Sequence, residues 1–193
     1  MKVSLVQSTP NPEEHIGLLA GICYGKTESS PEQCIKRAEH CVTKGHLSTL
    51  RFAHATFLVE GISRICSHQF VRSKHLDFLQ RSQRYCNDTG IDIVMPKSML
   101  DSQYMDWDIV NQAKTLYENL IANGIKKEDA RFVLPQGTPT ELLVVGNFQA
   151  WYDFIKLRSG KEAQWEIRVV ANEINQQLHG IAPNIFKELP DGT

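Results

Sequence analysis

Residues 51–70, RFAHATFLVEGISRICSHQF, change their hydrophobic period at Gly61. Before this glycine, alternation of β-branched and aromatic side chains predicts a β-strand at 51–60, with Phe52 and His54 on one face. After it, apolar side chains recur at helical spacing and predict a helix at 62–71. A basic stretch follows that helix directly.

The flanking sequence adds strands and helices in no regular alternation. The clearest helix, at 31–44, begins with Ser30, a proline and a capping-box Gln33, and ends before Gly45. Irregular alternation favours an α+β domain over a doubly wound sheet. The other predicted elements are an edge strand at 2–7, a helix at 13–22, a short strand at 91–94, a helix at 102–123, a helical turn at 126–132, a buried strand at 140–146, and helices at 147–158 and 162–179.

Composition narrows the class of protein. With 193 residues, 41% of them hydrophobic, the chain can bury one good core, so residues 1–193 are predicted to form a single domain. A formal charge of −1 argues against binding to a nucleic-acid polymer or a membrane surface. No secretory signal or membrane span is apparent, and we expect a cytoplasmic protein. The five cysteines include no C-x-x-C pair, which predicts reduced, mostly buried thiols and no metal site.

Residues 64–85 gather many arginine, lysine and histidine side chains. A solvated helix face is the usual explanation of such a charge run. However, apolar side chains such as Phe70, Leu76 and Phe78 are interleaved, so part of the segment must be packed. Guanidinium groups on a packed backbone are suited to holding phosphate.

Arg158 and His46 could each have a structural role or a functional one. Arg158 shares a helical face with Asn147, Trp151 and Phe154, and the residues alone favour a buried ion pair with a carboxylate such as Glu162 or Glu166. His46 follows a predicted helix end, where a lone histidine is ordinarily a cap. No Ser-His-Asp or Cys-His set, P-loop or G-x-G-x-x-G turn is present, so spacing identifies no nucleophile.

The segment GISRICSHQFVRSKHLDFLQRSQRY, residues 61–85, resembles the signature of the flavin-dependent thymidylate synthases. Their pattern is R-H-R, seven residues, then S-x-R, and this chain has Arg72-Ser73-Lys74, seven residues, then Ser82-Gln83-Arg84. The similarity continues in the family's order over nearly the whole chain. The other similar blocks are Gly45-His46-Leu47-Ser48, Thr56-Phe57, Arg131-Phe132-Val133-Leu134-Pro135, Asn147, Lys156-Leu157-Arg158 and Ala163-Gln164-Trp165-Glu166-Ile167-Arg168.

The resemblance implies a methyltransferase of nucleotide biosynthesis that converts dUMP to dTMP. Methylenetetrahydrofolate would supply the carbon and FAD reduced by NADPH the hydride, in an α+β homotetramer with active sites between subunits and a central sheet packed with helices. Arg158 would be catalytic, favouring the anionic form of the uracil. The matching nucleotide-binding positions are Gln69, Gln80, Arg81, Ser82, Arg84, Arg131 and Arg158, and the FAD-binding positions are His46, Ser48, Arg72, Ser73, Lys74 and Asn147, with His46 also suited to the folate.

The chain also departs from the family pattern. Ser73 and Lys74 replace a histidine and an arginine, Arg51-Phe52 replaces Glu-His, and Gln149 replaces an arginine. At position 74 the family's arginine can donate two parallel hydrogen bonds, whereas the lysine ammonium of this chain acts as a point charge. Two alternatives therefore stay open: another modification of a pyrimidine deoxynucleotide, such as hydroxymethylation, and a catalytically silent homologue that binds nucleotide or flavin.

Overall fold

A computed structural model of the chain describes residues 1–187. It is an α+β structure in which four strands form an antiparallel sheet. The strands are β1 (Lys2–Ser8), β2 (His54–Ser63), β3 (Leu76–Gln80) and β4 (Pro139–Asn147). The helices are α1 (Pro12–Ile22), α2 (Pro31–Thr43), α3 (Arg64–Phe70), α4 (Lys97–Leu100), α5 (Trp107–Ala122), α6 (Lys127–Ala130), α7 (Phe148–Arg158) and α8 (Trp165–Ile181), with 3-10 turns at Leu47–Phe52 and Arg131–Val133.

The strand order β1-β2-β4-β3 places the two longest strands in the middle of the sheet. β2 pairs with β4 from His54 opposite Asn147 to Ser63 opposite Pro139. The register shifts between Glu60 and Ile62, where Gly61 adopts a left-handed φ of 67°. This bulge lies where the sequence changes from strand to helix periodicity, and it leads the chain into α3.

One face of the sheet carries the core. Phe57 and Val59 of β2 and Leu142 and Val144 of β4 alternate inward and are fully buried. α3, α7 and α8 contact the sheet, and the ring of Trp151 on α7 meets Phe57 edge-on at a centroid distance of 5.0 Å. This packing fixes the rotation of α7 and therefore the direction of the side chain that follows at its C-terminus.

The opposite face of the sheet is much more open. Leu58, Leu143 and Leu79 are cross-strand neighbours there, and Leu79 is 72% exposed. α5 is similarly unsupported, because Tyr117 is the buried residue that the structure shows along its length. Trp107, Ile109 and Leu116 of α5 are exposed apolar side chains as well.

Most of the predicted elements are confirmed. The edge strand, the helix at 31–44 and the buried strand at 140–146 all form, and Ser30 and Gln33 make the reciprocal bonds of a capping box. The α+β class is confirmed as well. All five cysteines are free, and Cys34, Cys41 and Cys66 are buried.

Other predictions are wrong. Residues 91–94 form no strand, although Val94 N donates to Gly137 O at 2.8 Å. Phe52 ends a 3-10 turn before β2 begins, and the helix predicted from residue 102 begins at Trp107. β3 was not predicted, because its residues lie within the basic stretch. None of the helices within residues 1–187 is long and apolar enough to cross a membrane.

Candidate active site

Arg158, the last residue of α7, reaches toward α3. Its Nη2 donates to the main-chain oxygen of Gln69 at 3.3 Å, and its Nε is buried without a hydrogen-bond partner. Among the described residues, no carboxylate lies within ion-pair distance of this guanidinium. The expected ion pair with Glu162 or Glu166 is therefore wrong, and the arginine keeps donor capacity for a ligand.

Glu166 bonds to Ser63 at the start of α3 and not to Arg158. Its buried carboxylate accepts from Ser63 N at 2.6 Å and from the Ser63 hydroxyl, while Ser63 Oγ also caps α3 by accepting from Cys66 N. Glu166 of α8 thus fixes the first turn of α3. Through that helix it also fixes the position of Gln69.

Cys66 is the thiol nearest to this arrangement. Burial raises the pKa of the Cys66 thiol far above its usual range, with Glu166 adding to the rise and Arg158 opposing it. A thiol in this environment stays protonated and is a poor nucleophile. The site is therefore built for orientation and electrostatics and not for covalent attack by this cysteine.

Beyond α3 lies a cavity of about 310 Å³ that we call the arginine cavity. Burial lowers the pKa of the Arg64 guanidinium, and the charges of Arg131 and Arg81 lower it further against the opposing effect of Asp88. Three guanidinium groups are thus close enough to repel one another. The lining residues of the arginine cavity are Arg64, His68, Gln83, Arg131, Phe132, Leu134, Pro135 and Gln136.

The segment after β3 carries two more predicted nucleotide ligands, Ser82 and Arg84, and Glu128 connects Arg84 with Arg131 of the cavity. Arg84 Nε lies 3.0 Å from Glu128 Oε2, and Arg131 Nε donates to Glu128 O at 3.1 Å, so Glu128 contacts both arginines. The Ser82 hydroxyl accepts from Arg84 N at 3.2 Å. Arg84 and Arg131 therefore meet at Glu128, while Ser82 contacts Arg84 within its own turn.

Arg81 and Gln80 are engaged within the chain. Burial disfavours the charge of Arg81, but the hydrogen bond and charge of Asp88 outweigh it, and the net effect raises the pKa of Arg81. Gln80 Nε2 donates to the hydroxyls of Ser67 and Thr140 at 3.1 and 3.3 Å. These contacts tie the end of β3 to α3 and β4, so both side chains brace the loop that carries Ser82 and Arg84.

Four of the predicted flavin ligands, Arg72, Ser73, Lys74 and Asn147, lie near the start of β3. A cavity of about 210 Å³, which we call the edge cavity, is lined by Arg51, His75, Asn147, Gln149, Ala150 and Asp153. Asn147 caps α7 by accepting from Ala150 N at 2.9 Å, which leaves its amide nitrogen free to donate. Arg51 Nε donates to Gln149 Oε1 at 2.6 Å. Two of the residues that depart from the family pattern therefore contact each other.

The remaining flavin candidates are only partly brought together. Arg72 and Lys74 are exposed cations beside His75, and Ser73 Oγ is buried without a partner. His46 and Ser48 are exposed at the start of the 3-10 turn that continues to Arg51. Within residues 1–187, no hydrogen bond or ion pair joins His46 or Ser48 to the 72–74 segment.

The chain is similar in sequence to known proteins over almost its whole length. Residues 4–184 match the sequence model of a family described as thymidylate synthase complementing protein. A flavin-dependent thymidylate synthase of Geobacter sulfurreducens is 35% identical over 204 aligned residues, covering 100% of this chain and 88% of the relative. The chain belongs to the family of flavin-dependent thymidylate synthases. Relatives of the same name from Clostridium tetani and Mycobacterium tuberculosis are 30% and 34% identical, covering 97% and 80% of this chain and 86% and 71% of the relatives.

The structure adds cavity-lining residues to those that the resemblance assigned. Arg64 and His68 line the arginine cavity, and Arg51 and His75 line the edge cavity. The spacing of Arg64 and His68, four residues apart on a helix, was a signal that both side chains share one face. No signal in the sequence linked Arg51 to Gln149, because 98 positions separate them. No group of metal-binding side chains is present among the described residues.

Proposed function

We propose that this protein is a flavin-dependent thymidylate synthase that methylates dUMP to dTMP. In this reaction methylenetetrahydrofolate supplies the carbon, and FAD reduced by NADPH supplies the hydride. Family membership over residues 4–184 supports the class of reaction. The residues of the candidate site support the roles that follow.

The unpaired guanidinium of Arg158 is the main observation that supports the proposal. Arg158 is half-buried, its buried Nε has no partner and it has no carboxylate partner within residues 1–187, so its guanidinium favours an anionic or strongly accepting ligand. A uracil ring placed against it would be stabilised in its anionic form, which increases electron density at C5. Gln69, whose main chain Arg158 contacts, would orient the same ring.

Ser82, Arg84 and Arg131 would hold the phosphate of dUMP. Arg84 and Arg131 both contact Glu128, Arg131 lines the arginine cavity, and the Ser82 hydroxyl lies in the same turn as Arg84. Arg81 and Gln80 would act mainly by bracing the loop. This arrangement positions the nucleotide through its phosphate and leaves its base for Arg158.

The edge cavity and its neighbours would hold part of a flavin cofactor, namely its anionic pyrophosphate. The Asn147 amide, the buried Ser73 hydroxyl and the Arg72 and Lys74 cations provide donors and positive charge of the kind that a pyrophosphate requires. When bound, FAD would supply the hydride that completes the methyl group. His46 would lie toward the folate, and the protein residues would orient both reactants and exclude water.

We further propose a homotetramer with active sites shared between subunits. Phe132, beside the arginine cavity, is 85% exposed, and the open sheet face and α5 leave further apolar surface uncovered. A second subunit that covers these residues would also enclose the nucleotide. The cytoplasmic location and the absence of nucleic-acid and membrane partners stay predictions.

A flavin absorbance titration tests the proposal. Purified protein is mixed with FAD, the bound-flavin bands are recorded, and dUMP is then added. We expect bound flavin whose spectrum changes with dUMP, followed by dTMP formation when NADPH and methylenetetrahydrofolate are supplied. A protein that binds no flavin would contradict the synthase reading.

Product mass separates the open alternatives. A methylated product identifies the synthase, a hydroxymethylated nucleotide identifies the related modifying activity, and binding of flavin and dUMP without any product identifies the silent homologue. The alternatives arise from Ser73 and Lys74, so the double variant Ser73→His with Lys74→Arg is the matched comparison. Its turnover should equal or exceed that of the natural sequence if these two positions tune the flavin site.

Arg158→Lys tests the catalytic assignment. It keeps the positive charge but removes the planar fork, and we expect kcat to fall by about 100-fold or more while FAD binding and the thermal midpoint stay nearly unchanged. Arg37→Gln, at a half-buried arginine between α1 and α2, is the control. Equal losses of stability and turnover in the Arg158 variant would mean that its role is structural.

A further inference from the structure

A further cavity, of about 380 Å³, lies between α2, α7, α8 and the segment that follows α8. We call it the lysine cavity, because Lys156 and Lys187 line it. Lys156 and Arg158 are two positions apart on α7, so their side chains leave the helix on different faces. The lysine cavity is therefore separate from the candidate active site.

Most of the wall of the lysine cavity is apolar. Ile155, Ile185 and Phe186 line it and are at most 5% exposed. Val42 and Tyr152 complete this wall and pack against the same core, with the Tyr152 and Phe186 ring centroids 6.4 Å apart. Cavities that bind small molecules have this volume and this character, apolar with a few polar groups that orient the ligand.

Hydrogen bonds fix the part of the wall that follows α8. The buried Asn175 amide donates from Nδ2 to Lys187 O at 3.0 Å. The carboxylate of Glu13 on α1 accepts from Asn184 N at 2.7 Å and from Asn184 Nδ2 at 2.8 Å. The wall is thus tied to α8 and to α1, and a ligand would not have to order it on binding.

The charged groups of the lysine cavity favour an anionic head group. Within residues 1–187, neither Lys156 nor Lys187 has an ion-pair partner. Both lysines are exposed, and no aspartate or glutamate is among the described residues that line the cavity. Two cations without a counter-ion beside a mostly apolar wall match a ligand that has one negative charge on a hydrocarbon body.

We propose that the lysine cavity is a binding site for a small apolar carboxylate. Its anionic head contacts Lys156 and Lys187, and its hydrocarbon part packs on the apolar wall. Lysine ammonium groups act as point charges, and they suit a single carboxylate without the fork that grips a phosphate. A nucleotide would leave polar groups of its base and sugar unpaired against this wall. The inference goes beyond the proposed function and does not depend on it.

The test uses phenylbutyrate as the probe and phenylbutyramide as its neutral counterpart of nearly the same shape. Ligand-observed NMR titrations give the affinity of each compound for the natural protein, for Lys156→Gln and for Val42→Phe. We expect a Kd of about 1 mM or lower for the carboxylate. The amide, and the carboxylate in Lys156→Gln, should bind about two- to fivefold more weakly, because one exposed charge pair is lost. Val42→Phe fills part of the cavity and should weaken the carboxylate by about tenfold or more.

Lys161→Gln is the matched control, because it removes the same charge from an exposed lysine that does not line the cavity. It should leave the affinity for phenylbutyrate unchanged. If Val42→Phe does not fold, Lys156→Gln decides, since its side chain is exposed and its loss should not affect folding. The inference is overturned by a natural protein that binds no phenylbutyrate up to about 10 mM. Equal affinities for acid and amide, or equal losses in Lys156→Gln and Lys161→Gln, overturn it as well.

Repeating the titrations with FAD and dUMP separates the lysine cavity from the candidate active site. The affinity for phenylbutyrate should stay the same, and displacement of the probe by dUMP would place it in the active site and overturn the inference. If the natural sequence binds neither FAD nor dUMP, the proposed function fails, while probe binding with the expected variant pattern still supports the lysine cavity. If light scattering shows that Val42→Phe lowers the molar mass, the cavity belongs to a contact between subunits, and the inference is again overturned.

Discussion

At the scale of single residues, Glu128 contacts two of the arginines that we propose as phosphate ligands, Arg84 and Arg131. Its carboxylate pairs with Arg84 at 3.0 Å, and its main-chain oxygen accepts from Arg131. Arg84 and Glu128 side chains are 55% and 38% exposed, so the pair contributes little to stability and can be displaced. In the proposed phosphate site, Glu128 would compete with the nucleotide phosphate for Arg84.

Glu128→Gln should consequently tighten dUMP binding by about two- to fivefold, the range expected when a weak surface ion pair no longer competes. The KM for dUMP should fall while kcat stays constant, because the substitution does not touch Arg158, the residue that we propose to contact the uracil. Asp129→Asn, an exposed neighbour on α6 that makes no ion pair in the described chain, removes the same charge and serves as control. Equal effects of both substitutions would mean that net charge, and not the Arg84 contact, is responsible.

Glu166 gives a residue-scale prediction about stability. Its buried carboxylate satisfies both Ser63 N and Ser63 Oγ, and alanine would leave these donors without a partner. Glu166→Ala should lower the free energy of unfolding by about 2–4 kcal/mol. Denaturant unfolding measures this change, and Glu173→Ala, at an exposed position on the same helix, should stay within about 0.5 kcal/mol of the natural sequence.

At the scale of elements, α1 and α2 approach so closely that only glycine fits at their contact. A Cβ built on Gly17 would lie 1.8 Å from Cys34 O, which is main chain and cannot rotate away. Gly17→Ala should therefore separate the helices and destabilise the protein by about 1–3 kcal/mol. Gly180→Ala is the counterpart, because a Cβ near the end of α8 meets nothing within 4 Å. It should stabilise the protein by about 0.4–1 kcal/mol, and thermal unfolding of both variants gives the comparison.

The same scale explains how far the sequence could predict the fold. Elements with local signals, such as α2 with its capping box, were found close to their true bounds. β3 was missed because it depends on pairing with β4, from Leu76 opposite Gly146 to Gln80 opposite Leu142, and such distant partners leave no local pattern. The strand expected at 91–94 had the right residues but no neighbouring strand to complete a ladder.

The candidate site shows the same limit. Resemblance indicated Arg131 and Arg158, but the carboxylates near Arg158 in sequence suggested an ion pair that does not form. The reason lies in α8, which directs Glu166 to Ser63 instead. Arg64 was found only as part of the basic stretch, because Arg131 and Gln83, its neighbours in the arginine cavity, reach the cavity from other segments. Relationships between elements, and not residue types, decide both cases.

At the scale of the whole molecule, the open face of the sheet predicts an assembly that completes the active site. Leu79, Leu143 and Leu58 form one cross-strand row, and Leu79 belongs to β3, which lies between the segment carrying Arg72 and the segment carrying Arg84. A partner packed on this row would therefore bury apolar area next to both proposed ligand sites. Burying a leucine side chain of this size contributes about 1.5–3 kcal/mol to association.

Leu79→Asp should break the assembly, since it would place a charge in the centre of that contact. Light scattering should give a multiple of 21.9 kDa for the natural sequence and a smaller species for the variant, with loss of FAD and dUMP binding in parallel. Ile22→Asp, at an exposed apolar side chain on α1 outside the sheet, is the control and should keep both mass and binding. A natural protein that runs as a monomer and still binds flavin and nucleotide would show that one chain contains the complete site. A variant that dissociates but retains both ligands would place the sheet contact away from the active site.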